Sequence, residues 1–201
     1  MEFVRWLFRI IFKIFVRTKV YGAENVPKEG PVVVASNHES MLDMFLIGYR
    51  VPRYIKWMAK EELFKNKLLG KLLKALGAYP VKRGSRDVGA ARTTKELLEH
   101  GEIIGIFPQG TRTKGRGKKL PAKPGFIRFA VDGNAMIQPV AIWGRIRLFG
   151  KVYVRFGKPF SVRERLGEEH LNDRAAIQQL AADTLDEIYS LMEVPGEVSQ
   201  G

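Results

Sequence analysis

The sequence predicts an α/β fold: a single domain with a mixed sheet flanked by helices. Three observations carry that prediction. Short β-branched or apolar runs alternate along the chain with longer amphipathic stretches. No internal repeat and no linker long enough to separate two domains interrupts them. At 201 residues and 45% apolar composition, the chain suits one compact core and is not disordered as a whole.

The first element expected is an amphipathic helix ahead of the sheet. Residues Phe3 to Val16 (FVRWLFRIIFKIFV) are almost all large and apolar, broken by Arg5, Arg9 and Lys13, with Arg17 following. A step of four residues advances a helix by about 400°, so these four cations drift only ~120° and share one face. Phe3, Trp6, Phe8, Phe12 and Phe15 occupy the rest of the circumference. Such a helix lies in a membrane interface, cations toward headgroups and rings toward acyl chains. Fourteen residues reach only about 21 Å, short of the ~30 Å needed to cross a bilayer. No small-residue cleavage site follows, so the run is not a secretory signal. The alternative is a helix packed on the protein's own core with its cations snorkelling outward.

The alternation then begins. Pro31–Ser36 (PVVVAS) is a buried strand after a Pro/Gly turn, and Ser40–Tyr49 is helical. Tyr54–Ala59 is a strand, followed by helical pieces at Lys60–Phe64 and Lys67–Leu76. Ala78–Lys82 is a strand, and Asp87–His100 an amphipathic helix stopped by Gly101. Glu102–Phe107 is a strand, and Thr111–Ala122, rich in Lys, Arg, Gly and Pro without periodicity, is a basic loop. Gly125–Val131 is helical, Met136–Ile142 and Val152–Phe156 are strands, and Asn172–Met192 is a long helix with a polar face. The expected organisation is a membrane-anchoring helix at 1–18, one domain at 19–192 and a flexible tail at 193–201.

Composition narrows the chemistry. With no cysteine, a thiol nucleophile, a disulfide scaffold and an iron–sulfur site are excluded. The formal net charge is +13, yet residues 161–201 hold three basic and nine acidic residues, so the first 160 carry the excess. A basic body implies an anionic partner: nucleic acid, a membrane surface or a phosphate-bearing substrate. Nucleic acid is disfavoured, because aromatics are not interleaved with the basic loop and no nucleic-acid-binding signature is present.

Three clusters fall just after expected strands, where open α/β sheets place their sites. The first is Asn37-His38-Glu39-Ser40-Met41-Leu42-Asp43. On a continuous helix His38 and Asp43 would diverge by ~140°, so they meet only if a turn intervenes. The strand–helix junction supplies one. A carboxylate on one ring nitrogen fixes the tautomer and makes the other a better base. The plainer reading is a helix cap by Ser40 or Asn37 with an incidental His38. No metal-ligand spacing exists, since His100 and His170 lie far off in sequence. The second cluster, Gly77 to Gly84, delivers Lys82 and Arg83 into a turn suited to phosphate, or to plain solvation. The third, Phe107-Pro108-Gln109-Gly110-Thr111-Arg112, runs an apolar strand into a glycine turn and a guanidinium. Lys114, Arg116, Lys118, Lys119 and Lys123 follow, and most of these read as a solvated loop.

Together the clusters resemble the glycerolipid acyltransferases, specifically the 1-acyl-sn-glycerol-3-phosphate (lysophosphatidate) acyltransferase family. Asn37, His38 and Asp43 match its NH-x4-D block, Arg83-Gly84 its second, FPQGTR its FPEGTR block, and Gln138-Pro139-Val140-Ala141-Ile142 its fourth. The likeness covers about residues 20–160, with one departure: Gln109 stands where the family has Glu. Gln keeps the length and hydrogen-bonding reach without the charge.

The resemblance implies acyl transfer in a ternary complex. Asp43 orients His38, and His38 deprotonates the sn-2 hydroxyl of a lysophosphatidate. That oxygen attacks an acyl-CoA or acyl carrier protein thioester, with no cofactor and no metal. It also implies an acceptor site of Arg83, Gln109, Gly110, Thr111, Arg112 and Lys123. Anionic membrane lipids are the expected partner, and the cytoplasmic face of the cell membrane the expected location, peripheral or monotopic. Glycerol 3-phosphate, another lysophospholipid or an amino-acid lipid remain alternative acceptors. A non-catalytic basic membrane-binding module is the alternative from another class.

Overall fold

The computed structural model describes residues 16–49, 51–82, 87–113, 119–144, 147 and 150–192. Residues 1–15 of the expected membrane helix, Arg83-Gly84, Lys114, Arg116, Lys118 and the 193–201 tail lie outside the described residues, while Arg17 and Thr18, expected at the helix end, begin a strand paired with Lys151 and Val152. In chain order the elements are β1 (Arg17–Tyr21), β2 (Val32–Ser36), α1 (Asp43–Gly48), β3 (Ile55–Lys60), α2 (Lys67–Ala75), β4 (Tyr79–Val81), α3 (Val88–Glu99) and β5 (Ile103–Ile106). Then come α4 (Gly125–Asp132), β6 (Met136–Gly144), β7 (Lys151–Phe156), β8 (Phe160–Ser161), α5 (Val162–Leu166) and α6 (Arg174–Ser190).

The strands form one mixed sheet in the order β1-β7-β6-β2-β5-β3-β4, with β8 also on β6. β2, β3, β4, β5 and β6 run parallel, while β7 and β8 run antiparallel to β6. β2 shows why its sequence is an unbroken β-branched run: it is buried on both faces. Val33 and Ala35 join a core with Leu98 of α3, Phe126 and Ile127 of α4, and Leu185 and Ile188 of α6. Val32 and Val34 join the opposite core with Leu46 and Ile47 of α1, Val152 and Val154. Each such fully buried side chain contributes roughly 1.5–3 kcal/mol. Pro139 sits inside β6 without breaking it. Its carbonyl accepts from Gly157 N (2.9 Å), on the side where β7 has ended and β8 has not begun, so its missing N–H costs no ladder bond.

Five elements differ from the sequence expectation. β1 is a strand that the polar sequence RTKVY did not reveal; it is an edge strand, half exposed along its length. β8 and α5 are too short for a periodic signal. The first helical piece after β3 is a 3-10 turn, Glu61–Phe64. The helix expected from Ser40 begins at Asp43, because the Asp43 carboxylate takes the N–H groups of Glu39 and Ser40 and holds them in a turn. Two other helices open on a side-chain cap: Asp87 Oδ1 accepts from Ala90 N (3.0 Å), and Asp173 Oδ1 from Ala175 N (2.8 Å).

Candidate active site

The site lies at the carboxyl edge of the parallel strands, and the chain leaving β2 builds its centre. Asn37 is fully buried, and its side chain behaves like one more strand residue. Its Nδ2 donates to Ile142 O (2.7 Å), and its Oδ1 accepts from Ile142 N (2.8 Å). That two-way bond ties the β2 end to β6 and fixes where His38 leaves the sheet. His38 Nδ1 donates to Asp43 Oδ2 at 2.9 Å. The same oxygen accepts from Glu39 N (2.7 Å) and Ser40 N (2.8 Å). Asp43 is 0% exposed and His38 9%. The carboxylate is therefore held by backbone, and it holds the imidazole. The Glu39 carboxyl beside it is raised from its ordinary value, first by desolvation and then by the Asp43 charge.

An aromatic stack, not read from the sequence, backs the imidazole. The His38 and Phe107 rings are stacked with centroids 3.8 Å apart, and Phe107 stacks on Trp57 at 4.9 Å. Gly105 of β5 makes room: a Cβ there would come within 2.5 Å of the Trp57 indole. A tryptophan within β3 and a phenylalanine just after β5 were the available signal.

The turn after β5 folds back onto this centre. Thr113 donates to His38 O twice, from its backbone N (2.9 Å) and its Oγ1 (3.1 Å). Thr111 and Arg112 are exposed immediately before that tether. Gly110 has φ +70°, and Lys123 lies along it, 3.1 Å from where a Cβ would stand. Lys123 N also donates to Pro108 O (2.9 Å), closing the loop on itself. Gln109 points elsewhere. It is 3% exposed, and its Nε2 donates to Leu120 O (3.4 Å) and Tyr189 OH (3.2 Å). Beside Phe107 a groove of about 200 Å³ opens, lined by Met58, Val81, Ile106 and Phe129, with Gly110 and Lys123 on its polar side. Among the described residues no three His, Asp or Glu side chains converge to hold a metal ion.

The sheet therefore gathers His38, Asp43, Gly110, Thr111, Arg112 and Lys123 at one edge and turns Gln109 inward. A carboxylate-aimed imidazole, an adjoining cationic turn and an apolar groove suit base-assisted group transfer to an anionic, lipid-like acceptor. The protein-family profile described as Acyltransferase matches residues 17–143. The 1-acyl-sn-glycerol-3-phosphate acyltransferase of Bacillus subtilis is 37% identical over 157 residues, covering 75% of this chain and 77% of that protein. The enzyme of the same name from Borreliella burgdorferi is 31% identical, covering 66% of this chain and 53% of that one, so the chain spans about half of its length. The crystal structure of the 1-acyl-sn-glycerophosphate (LPA) acyltransferase PlsC from Thermotoga maritima superposes with a TM-score of 0.72 at 27% identity. That match covers 96% of this chain and 81% of PlsC. The chain belongs to the acyltransferase family.

Proposed function

We propose that this acyltransferase moves a fatty acyl group from an acyl thioester to the sn-2 hydroxyl of 1-acyl-glycerol 3-phosphate, giving phosphatidate. The single observation that supports it most is the His38–Asp43 contact at 2.9 Å, beside exposed Arg112. Asp43 holds a proton on His38 Nδ1, leaving Nε2 to take the proton of the acceptor hydroxyl. The hydroxyl oxygen attacks the thioester carbonyl and forms the ester bond; the C–S bond breaks, and the thiolate of coenzyme A or acyl carrier protein takes up the proton from His38. Arg112 and Lys123, with Arg83, grip the acceptor's phosphate, and positioning of this kind supplies several kcal/mol of the barrier. The groove beside Phe107 takes an acyl chain. Gln109 contributes by bracing the loop against α6, a task for hydrogen bonds rather than charge.

The acceptor and product are lipids, which gives residues 1–15 their task at the membrane surface. Among the described residues no helix is long and apolar enough to cross a membrane. Two measurements test the reading. The purified chain, given labelled acyl-CoA or acyl carrier protein thioester, should acylate lysophosphatidate in preference to glycerol 3-phosphate and other lysophospholipids. Equal or faster transfer to another acceptor replaces lysophosphatidate in this scheme. Charge reversal at Arg5, Arg9 and Lys13 should weaken binding to anionic vesicles, and unchanged binding removes that role from the segment.

A further inference from the structure

The carboxyl edge that carries His38 also carries two other features, on opposite sides of the sheet. β1 runs against β2–β6, because it is parallel to β7 and β7 is antiparallel to β6. Its first residue, Arg17, pairs with Lys151, next to Val152 opposite Gly144 at the end of β6. Residues 1–15 therefore join the described chain at this edge. At the other side of the sheet, β3 ends at Lys60 on the same edge, and α2 starts there after one 3-10 turn. The order β1-β7-β6-β2-β5-β3-β4 sets the two features about 24 Å apart, at ~4.8 Å per strand, with His38 between them.

α2 turns only part of its surface inward. Leu73 is buried and Leu69 packs with it against Ala59, Ala78 and Phe64. Leu68 and Leu72, four residues apart on another face, are 82% and 48% exposed. Lys65, Lys67, Lys71 and Lys74 are exposed around them, and none is in a salt bridge among the described residues. The helix LysLeuLeuGlyLysLeuLeuLysAla contains no acid.

We propose that this strip of α2 docks on an anionic lipid bilayer, as a contact separate from residues 1–15. Leu68 and Leu72 enter the interface while the lysines meet headgroup phosphates. Charge complementarity selects this occupant. A second copy would bring four lysines against four, and an apolar protein partner would leave them without counter-charge. With one contact on each side, the carboxyl edge faces the lipid, and an acceptor reaches His38 without leaving the bilayer surface. The inference rests on the lipid-substrate reading above, but its test does not depend on turnover.

The chain lacks cysteine, so Leu68→Cys places one thiol for an environment-sensitive dye. Asp132→Cys, exposed at the end of α4 on the opposite edge, is the control. With vesicles of phosphatidylcholine and phosphatidylglycerol, the dye at 68 should shift to the blue and brighten about twofold or more, and the dye at 132 should not change. No shift at 68 while the protein sediments with vesicles overturns the proposal. So does an equal shift at both positions, or a shift without vesicles that grows with protein concentration, which would mean a second copy. Lys67→Gln/Lys71→Gln should partition roughly thirtyfold more weakly onto the same vesicles, at about 1 kcal/mol per lysine. It should still acylate a short-chain, water-soluble lysophosphatidate at the parent rate. Equal partitioning, or loss of that soluble turnover, contradicts a docking role. Failure of the parent chain on the soluble acceptor contradicts the catalytic reading instead, and leaves the dye result standing.

Discussion

The end of β2 and the turn after β5 meet in one site but are held in opposite ways. His38 and Asp43 are buried, and they are aimed by their own short side-chain bond, by backbone N–H groups on the Asp43 carboxylate and by a ring stacked on the imidazole. Thr111, Arg112 and Lys123 are exposed, and the loop that carries them is tied down by backbone bonds from Gly110 N to Phe107 O, Thr113 N to His38 O and Lys123 N to Pro108 O. A proton donor–acceptor pair must be set to fractions of an ångström before substrate arrives. A phosphate grip works through long cationic side chains that settle on the ligand when it binds. The fold rigidifies the first and only positions the second.

That contrast orders the consequences of breaking each part. Short of removing the imidazole itself, Asp43→Asn should cost the most: it leaves the backbone of the turn nearly in place but removes the charge that selects the His38 tautomer. A loss of about 10²–10³ in kcat, with KM little changed, is expected from steady-state acyl transfer. Arg112→Ala should act on KM instead, raising it for a phosphate-bearing acceptor roughly 10- to 100-fold, the worth of one charge-assisted bond. If Arg112→Ala lowered kcat alone, the division between rigid base and adaptable grip would be wrong. Gln109→Glu sharpens the comparison from inside the loop. It puts a carboxylate where Leu120 O expects a donor, so thermal unfolding should show a loss of roughly 1–3 kcal/mol without a matching gain in turnover. A faster, equally stable Gln109→Glu protein would mean that the charge matters here.

The smallest effect lies away from the site. Burial pushes the Tyr79 hydroxyl up to about 12, and Thr94 shares a hydrogen bond with it at 3.0 Å. The unfolded chain releases this proton near pH 10, before the folded chain does, so stability falls as pH rises from about 10 to 12. Tyr79→Phe should lose that share of the alkaline decline, seen as a shallower fall of melting temperature over this window.

Much of the fold was legible because β2, β5 and β6 are buried on both faces and so carry unbroken apolar runs. β1 was not, since an edge strand needs no apolar alternation and reads as Arg-Thr-Lys-Val-Tyr. Within the site, His38 and Asp43 could be paired from spacing because five residues and one turn join them. The Asn37–Ile142 bond spans 105 residues and the Gln109–Tyr189 bond 80, and no local pattern encodes either. Gln109 thus looked like a substrate contact by its neighbours in sequence, while its partner on α6 turns its side chain inward. The aromatic stack behind His38 escaped for the same reason, as Trp57 and Phe107 come from different strands.

The most direct test is acyl transfer by purified His38→Ala, measured beside its binding to anionic vesicles. Vesicle binding equal to the parent protein, with transfer to lysophosphatidate reduced by about 10³-fold or more, is the predicted result. Transfer at the parent rate would contradict a base at position 38.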